Sequence, residues 1–75
     1  MIVIKTKLGN VFHVTQEGKK ISLRHHQNHQ GNLVGGGEIY QGDTLVKSEG
    51  TIKLYLRGEW VAEIFGDPEI VEVRM

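Results

Sequence analysis

Residues 50–66 contain two apolar runs separated by a glycine, and this segment constrains the fold more than any other. Apolar residues recur at every second position of both runs, which is the period of a pleated strand. They are Ile52, Leu54 and Leu56 in the first run and Trp60, Ala62 and Ile64 in the second. The segment therefore predicts a β-hairpin with one apolar face.

The parity of the turn decides the register of this hairpin, because a shift of one residue moves every side chain to the opposite face. A two-residue loop at Gly58-Glu59 would place Glu63 opposite Leu54. An odd-length loop over 57–59, or a bulged equivalent, keeps the apolar residues together, and we predict this arrangement. It pairs Leu56 with Trp60, Leu54 with Ala62, Ile52 with Ile64 and Lys53 with Glu63.

Turn signals recur along the rest of the chain and divide it into about eight short strands. The stretch 11–24 predicts a second hairpin, whose two-residue loop at Glu17-Gly18 pairs Val14 with Ile21 and Phe12 with Leu23. No segment has a helical period, and the chain contains 10 glycines. We expect a single all-β domain over residues 1–75, either a small antiparallel β-sandwich or a partly open barrel whose short strands are joined by tight glycine turns.

The small size of the chain predicts self-association. A single core in a domain this small rarely supplies more than about 3 to 5 kcal/mol, and the 75 residues include no cysteine for a disulfide. We therefore expect a homo-oligomer that pairs through the glycine-rich strand around Ile39 and the closing strand that ends at Met75. The predicted core is Ile2, Ile4, Leu8, Phe12, Val14, Ile21, Leu23, Leu54, Leu56, Trp60 and Ile64.

Composition narrows the functional classes. Nine basic and nine acidic residues give a formal net charge of zero, so affinity for nucleic acid requires local segregation of charge. We find neither a signal-peptide pattern nor an apolar run of membrane-spanning length, so we expect a cytoplasmic protein without a membrane partner. For so short a chain, a viral or phage accessory protein is one setting that we expect.

Catalytic patterns are missing from the sequence. Neither Ser22 nor Ser48 has an arguable base and orienting group. A phosphate-binding loop is followed by a lysine and a helix, and the three glycines at 35–37 are followed by neither. We therefore expect a non-enzymatic binding or structural module without a cofactor. Another protein is one alternative for its partner.

One alternative is a nucleic-acid-binding surface that combines basic residues with an aromatic ring. Lys53, Tyr55 and Arg57 project from the same side of one predicted strand, as in sheets that stack a base between phosphate-seeking cations. Lys5 and Lys7 share a face of the first strand and would extend the patch. The competing interpretation is a solvated face on which Glu63 and Glu59 neutralise the cations.

These residues also carry a family resemblance. The opening Val3-Ile4-Lys5, the His25-His26 pair and the pattern from Ile52-Lys53 to Arg57-Gly58-Glu59 resemble, in the same order, segments of the trp RNA-binding attenuation protein family. The resemblance implies a β-only ring with many members and single-stranded RNA bound around its rim. Tyr55 departs from the family pattern, which has a basic residue at that place.

The second alternative is a metal site in the polar stretch His25–Asn32, which we expect to be a loop. His25, His26 and His29, together with His13 on the polar face of the preceding hairpin, are candidate ligands for zinc, nickel or copper. The competing interpretation is a hydrophilic loop that is rich in histidine.

Overall fold

The computed structural model describes residues 1–32 and 39–74, and these form eight antiparallel strands in two sheets. The strands are β1 (Ile2–Lys5), β2 (Val11–Glu17), β3 (Lys20–Gln27), β4 (Ile39–Gly42), β5 (Thr44–Ser48), β6 (Thr51–Leu56), β7 (Glu59–Ile64) and β8 (Glu69–Val73). The large sheet has the order β4-β3-β2-β1-β8, and the small sheet has the order β5-β6-β7. Both sheets are open, and the described residues contain no helix. The predicted all-β fold is confirmed.

The two sheets pack face to face, and their inner faces form the core. Ile4 and Leu54, one from each sheet, are fully buried. Full burial of such a side chain contributes about 1.5–3 kcal/mol. Of the predicted core, Ile4, Val14, Ile21, Leu23, Leu54 and Ile64 are buried, and Ile2 and Phe12 are half-buried against them.

A bulge in the β6–β7 hairpin combines a tight turn with the predicted register. Arg57 and Gly58 both have positive φ, at 52° and 81°, as in a type I′ turn, which holds Leu56 opposite Glu59. Val61 is then the extra residue of a bulge, beyond which the pairs are those predicted from parity. These pairs are Leu54 with Ala62, Lys53 with Glu63 and Ile52 with Ile64.

The structure corrects three predicted core residues: Leu8, Leu56 and Trp60 are 68%, 44% and 59% exposed. The predicted pair of Leu56 with Trp60 is wrong because the bulge places Trp60 opposite Tyr55 instead. Leu8 is exposed because β1 ends at Lys5, and the chain then turns with a hydrogen bond from the Gly9 N–H to the Thr6 carbonyl.

The β2–β3 hairpin has the predicted faces but a register displaced by two residues. Its two-residue turn is Gly18-Lys19 rather than Glu17-Gly18, so Val14 lies opposite Leu23 and not Ile21. Gly18 has a φ of 63°, which suits the first central position of a type II′ turn. Because the displacement is even, the apolar residues still face the core.

β4 and β8 are the two edges of the large sheet, as expected for the strands around Ile39 and at the end of the chain. Among the described strands, β8 pairs with β1 alone, and all of its residues are exposed. The triple glycine at 35–37 and Met75, which also belonged to these expectations, lie outside the described residues.

Gly42 lies where β4 crosses the small sheet. A Cβ atom at this position would be 2.5 Å from the Tyr55 carbonyl oxygen and 2.7 Å from Cδ1 of Leu54. Backbone on one side and a fully buried side chain on the other leave no room for a methyl group. Close packing of the sheets at this crossing therefore requires glycine.

We expect Gly42→Ala to lower the free energy of unfolding by about 1 to 3 kcal/mol, because overpacking forces the two strands apart. Chemical denaturation followed by circular dichroism measures this change. Gly58→Asn is the control, since its side chain enters open space and asparagine tolerates positive φ. Equal stability of Gly42→Ala and wild type would show that the crossing is not close-packed.

Candidate functional site

The predicted basic and aromatic residues of β6 lie on the outer face of the small sheet. Strand side chains alternate between faces, so Lys53 and Tyr55 point outward while Ile52 and Leu54 enter the core. Lys53 lies between Val46 of β5 and Glu63 of β7. Lys53 and Glu63 make no salt bridge, since the only salt bridge within residues 1–32 and 39–74 joins Arg74 to Glu72. The Lys53 ammonium is therefore available to a ligand.

Trp60 joins this surface because of the bulge. Directly opposite residues project to the same side of a sheet, so Trp60 lies beside Tyr55 rather than in line with Ala62 and Ile64. Along the free edge of β7, Trp60 also borders a groove of about 410 Å³. The groove is lined by Tyr40, Trp60, Val61, Ala62, Glu63 and Phe65. Aromatic rings on this surface offer stacking faces to a planar ligand.

Arg57 occupies the turn next to this surface and is positioned by Asp43. The Arg57 backbone N–H donates a hydrogen bond of 3.0 Å to Oδ2 of Asp43, and the Thr44 hydroxyl donates one of 2.9 Å to Oδ1. Both hydrogen bonds lower the pKa of the Asp43 carboxyl below its ordinary value, and the bond from Arg57 has the larger effect. Asp43 thus fixes the turn that carries Arg57 and offsets part of its charge.

Lys5 does not extend the patch. It alternates with the buried Ile4 and so projects from the outer face of the large sheet, on the opposite side of the molecule from Lys53. Lys7 follows β1 in the turn, where its backbone N–H donates to the Gly66 carbonyl. The structure therefore brings together Lys53, Tyr55 and Arg57 around β6 but does not add Lys5 to them.

The candidate metal ligands are separated by a second bulge. β3 runs to Gln27, so His25 and His26 lie in a strand and not in the predicted loop. His25 stacks on Phe12 at 4.5 Å between ring centroids, whereas His26, the extra residue of the bulge, stacks on His13 at 3.9 Å. His29 is exposed in the following turn. Within the described part of the chain, no three His, Asp or Glu side chains form a metal-binding group.

The loop itself begins at Asn28, which organises it. The Asn28 side-chain oxygen accepts hydrogen bonds of 3.0 Å from the backbone N–H groups of Gln30 and Asn32. The Asn28 N–H donates to the Asn32 carbonyl at 2.9 Å. The polar composition of this stretch therefore serves a turn built on an asparagine side chain.

Sequence reasoning missed the aromatic residues of the surface other than Tyr55. Phe65 was within reach, because it alternates with the buried Ile64. Trp60 was not, because period-2 alternation places it in the core and only the bulge turns it outward. Tyr40 reaches the groove through the packing of β4 near β7, which depends on tertiary structure.

Comparisons with known protein families, curated proteins and solved structures find no match to this chain. The resemblance to the trp RNA-binding attenuation protein family therefore stays an expectation. None of the described residues belongs to a helix long and apolar enough to cross a membrane.

We expect Asp43→Asn to lower the melting temperature by roughly a few degrees near neutral pH, because the turn loses a charged hydrogen-bond acceptor. Since the pKa of Asp43 is lowered in the folded state, its stabilising effect is complete above the ordinary value of 3.8. The effect is lost as the pH falls through the folded-state pKa. The difference between wild type and variant should therefore disappear in acid.

Thermal unfolding at several pH values tests this expectation. Glu49→Gln is the control, because Glu49 is an exposed acid of another tight turn. A difference between wild type and Asp43→Asn that persists unchanged at pH 2 would contradict a role of the Asp43 charge.

Proposed function

We propose that this protein is a non-enzymatic binding or structural module that homo-oligomerises through the edges of its large sheet. One observation carries the proposal: β8 is an edge strand exposed on both faces, yet it is largely apolar. Ile70 and Val73 lie opposite Ile4 and Ile2 and so belong to the inner face, but they remain 53% and 62% exposed.

The reason for this exposure is a mismatch in width. The large sheet has five strands and the small sheet three, so the small sheet leaves the inner face of β8 uncovered. Natural edge strands are normally short, charged, bulged or covered, because an apolar edge pairs with other chains. β8 has a bulge at Val71 but retains three exposed aliphatic residues.

A second copy of the chain suits this edge for two reasons. It offers edge strands whose backbone N–H and C=O groups can extend the ladder of the large sheet. It also brings exposed apolar side chains of its own, including Ile39 and Tyr40 on the opposite edge. Contact between β8 of one chain and β4 of the next would be head-to-tail, the type of interface that produces a ring when the rotation closes.

We expect wild type to have a defined mass above that of one chain, and the double variant Ile70→Lys, Val73→Lys to be monomeric. Both side chains are exposed in the single chain, so lysine is tolerated there but opposes burial in an assembly. Light scattering after size-exclusion chromatography measures the mass, and circular dichroism verifies the fold.

Val46→Lys is the matched control, because Val46 is an exposed aliphatic residue on the edge strand β5 of the small sheet. This variant should keep the wild-type mass. Monomeric wild type at every protein concentration would refute the proposal, and so would an assembly that survives the β8 double variant.

The outer face of the small sheet favours a second candidate function, the binding of single-stranded RNA or DNA. The supporting observation is the pair of Tyr55 and Trp60, placed side by side across the β6–β7 hairpin with Lys53 on the same face. Aromatic side chains that stack on bases, next to cations that attract phosphates, are the usual parts of such surfaces.

We expect Trp60→Ala to weaken binding of a short single-stranded oligonucleotide by about fivefold to 150-fold, since stacking on an aromatic ring is worth about 1–3 kcal/mol per base. Lys53→Gln should make the affinity less dependent on salt, by about the amount expected for the loss of one phosphate contact. Fluorescence anisotropy of a labelled oligonucleotide at several salt concentrations measures both effects.

Leu8→Ala serves as the control for loss of exposed apolar surface away from the small sheet and should leave the affinity unchanged. Binding that is absent, or that does not depend on salt, would exclude this function. Because Trp60 and Lys53 lie on the small sheet, the experiment is independent of the test on β8.

A further inference from the structure

The outer face of the large sheet contains a small depression that belongs to neither surface described above. Its volume is about 240 Å³, equivalent to about eight water molecules at their share of liquid volume. The residues that line it are Met1, His13, Thr15, Ser22, Arg24 and Ile39. Two of them, Met1 and Ile39, supply apolar side chains, and the other four are polar.

The sheet register places the four polar side chains in a rectangle. His13 lies opposite Arg24, and Thr15 lies opposite Ser22 in the next row of the same face. Directly opposite residues have Cβ atoms about 5 Å apart, and rows on one face follow each other at about 7 Å. Four side chains from β2 and β3 therefore surround one point above the sheet.

All four side chains can donate a hydrogen bond, and the ring of His13 also stacks on His26. The guanidinium and the two hydroxyl groups are donors, as is one nitrogen of the imidazole. None of them forms a side-chain hydrogen bond or an ion pair with any other described residue. Within residues 1–32 and 39–74, no side-chain hydrogen bond or ion pair therefore competes with a ligand for these donors.

The electrostatic surroundings of the depression favour an anion. None of its lining residues is acidic. Glu72 of β8 is separated from His13 by Val3 of β1, which lies opposite both residues. Glu72 forms a salt bridge of 2.8 Å with Arg74. Arg24 thus has no carboxylate partner among the described residues, and a guanidinium binds the oxygens of phosphate in a bidentate manner.

From this geometry we propose that His13, Thr15, Ser22 and Arg24 form a binding site for the phosphoryl group of a small phosphate ester. Arg24 donates to two phosphate oxygens, and the hydroxyl groups of Ser22 and Thr15 donate to the others. His13 donates from its ring and, when protonated, adds a second positive charge. The apolar flanks of Met1 and Ile39 contact the part of the ligand that carries the phosphate.

The proton affinity of His13 gives this site a specific signature. Burial has the largest effect on the pKa of His13 and lowers it. The positive charges of the stacked His26, of Arg74 and of Arg24 lower this pKa further, whereas the negative charge of Glu72 raises it. A bound phosphate dianion adds negative charge beside the imidazolium and raises this pKa. Phosphate should therefore bind more tightly to the protein with a protonated His13 than to the protein with a neutral His13.

The test is an NMR titration of His13 in the full chain, with inorganic phosphate and adenosine 5′-monophosphate as probes, against chloride at equal ionic strength. We expect both probes to raise the pKa of His13 and to shift the amide signals of Thr15, Ser22 and Arg24. Arg24→Gln should weaken binding by about tenfold to a hundredfold, the range of one charged hydrogen-bonding group.

Lys47→Gln is the matched control, since it removes one positive charge from the exposed edge strand β5 of the small sheet, and its affinity should equal that of wild type. Ser22→Ala provides a second variant that retains every charge, and weaker binding by this variant supports direct contact. An unchanged pKa of His13, or equal loss of affinity in Arg24→Gln and Lys47→Gln, would overturn the proposal. Binding of a single-stranded oligonucleotide at these residues without binding of adenosine 5′-monophosphate would also overturn it.

Discussion

The apolar inner faces of two open sheets meet around Ile4 and Leu54, and every other feature of the fold has to be compatible with this contact. Each strand must keep alternate residues pointing inward, while each tight turn imposes its own parity. In the β6–β7 hairpin these two requirements conflict. The extra residue Val61 resolves the conflict, because Ala62 and Ile64 then point into the core although the turn has two residues.

The same device recurs twice in the large sheet, with His26 in β3 and Val71 in β8 as extra residues. Each bulge changes the side on which a side chain lies. One separates His26 from His25 and stacks it on His13, and another moves Trp60 beside Tyr55. The outward position of Trp60 and the stacking of His26 on His13 thus depend on departures from simple alternation.

Charge is distributed unevenly over a chain whose formal net charge is zero. Among the described residues, one acid pairs with Arg74 and another, Asp43, holds the turn of Arg57. Lys53 and Arg24 remain without salt bridges within those residues, on opposite outer faces of the two sheets. A net charge of zero is therefore compatible with single cations that face outward without a salt bridge.

The sequence by itself determined the all-β class, the positions of the tight turns to within a residue or two, the inward faces of most strands and the identity of the edge strands β4 and β8. These follow from local signals, since alternation and turn residues act over a few positions. Only the tertiary structure decided the bulges, the exposure of Leu56 and Trp60, and the divergence of His25 and His26. A bulge arises where turn parity and the packing of a distant sheet must both be satisfied. A local stretch of sequence does not predict it, because the packing involves residues far away in the chain.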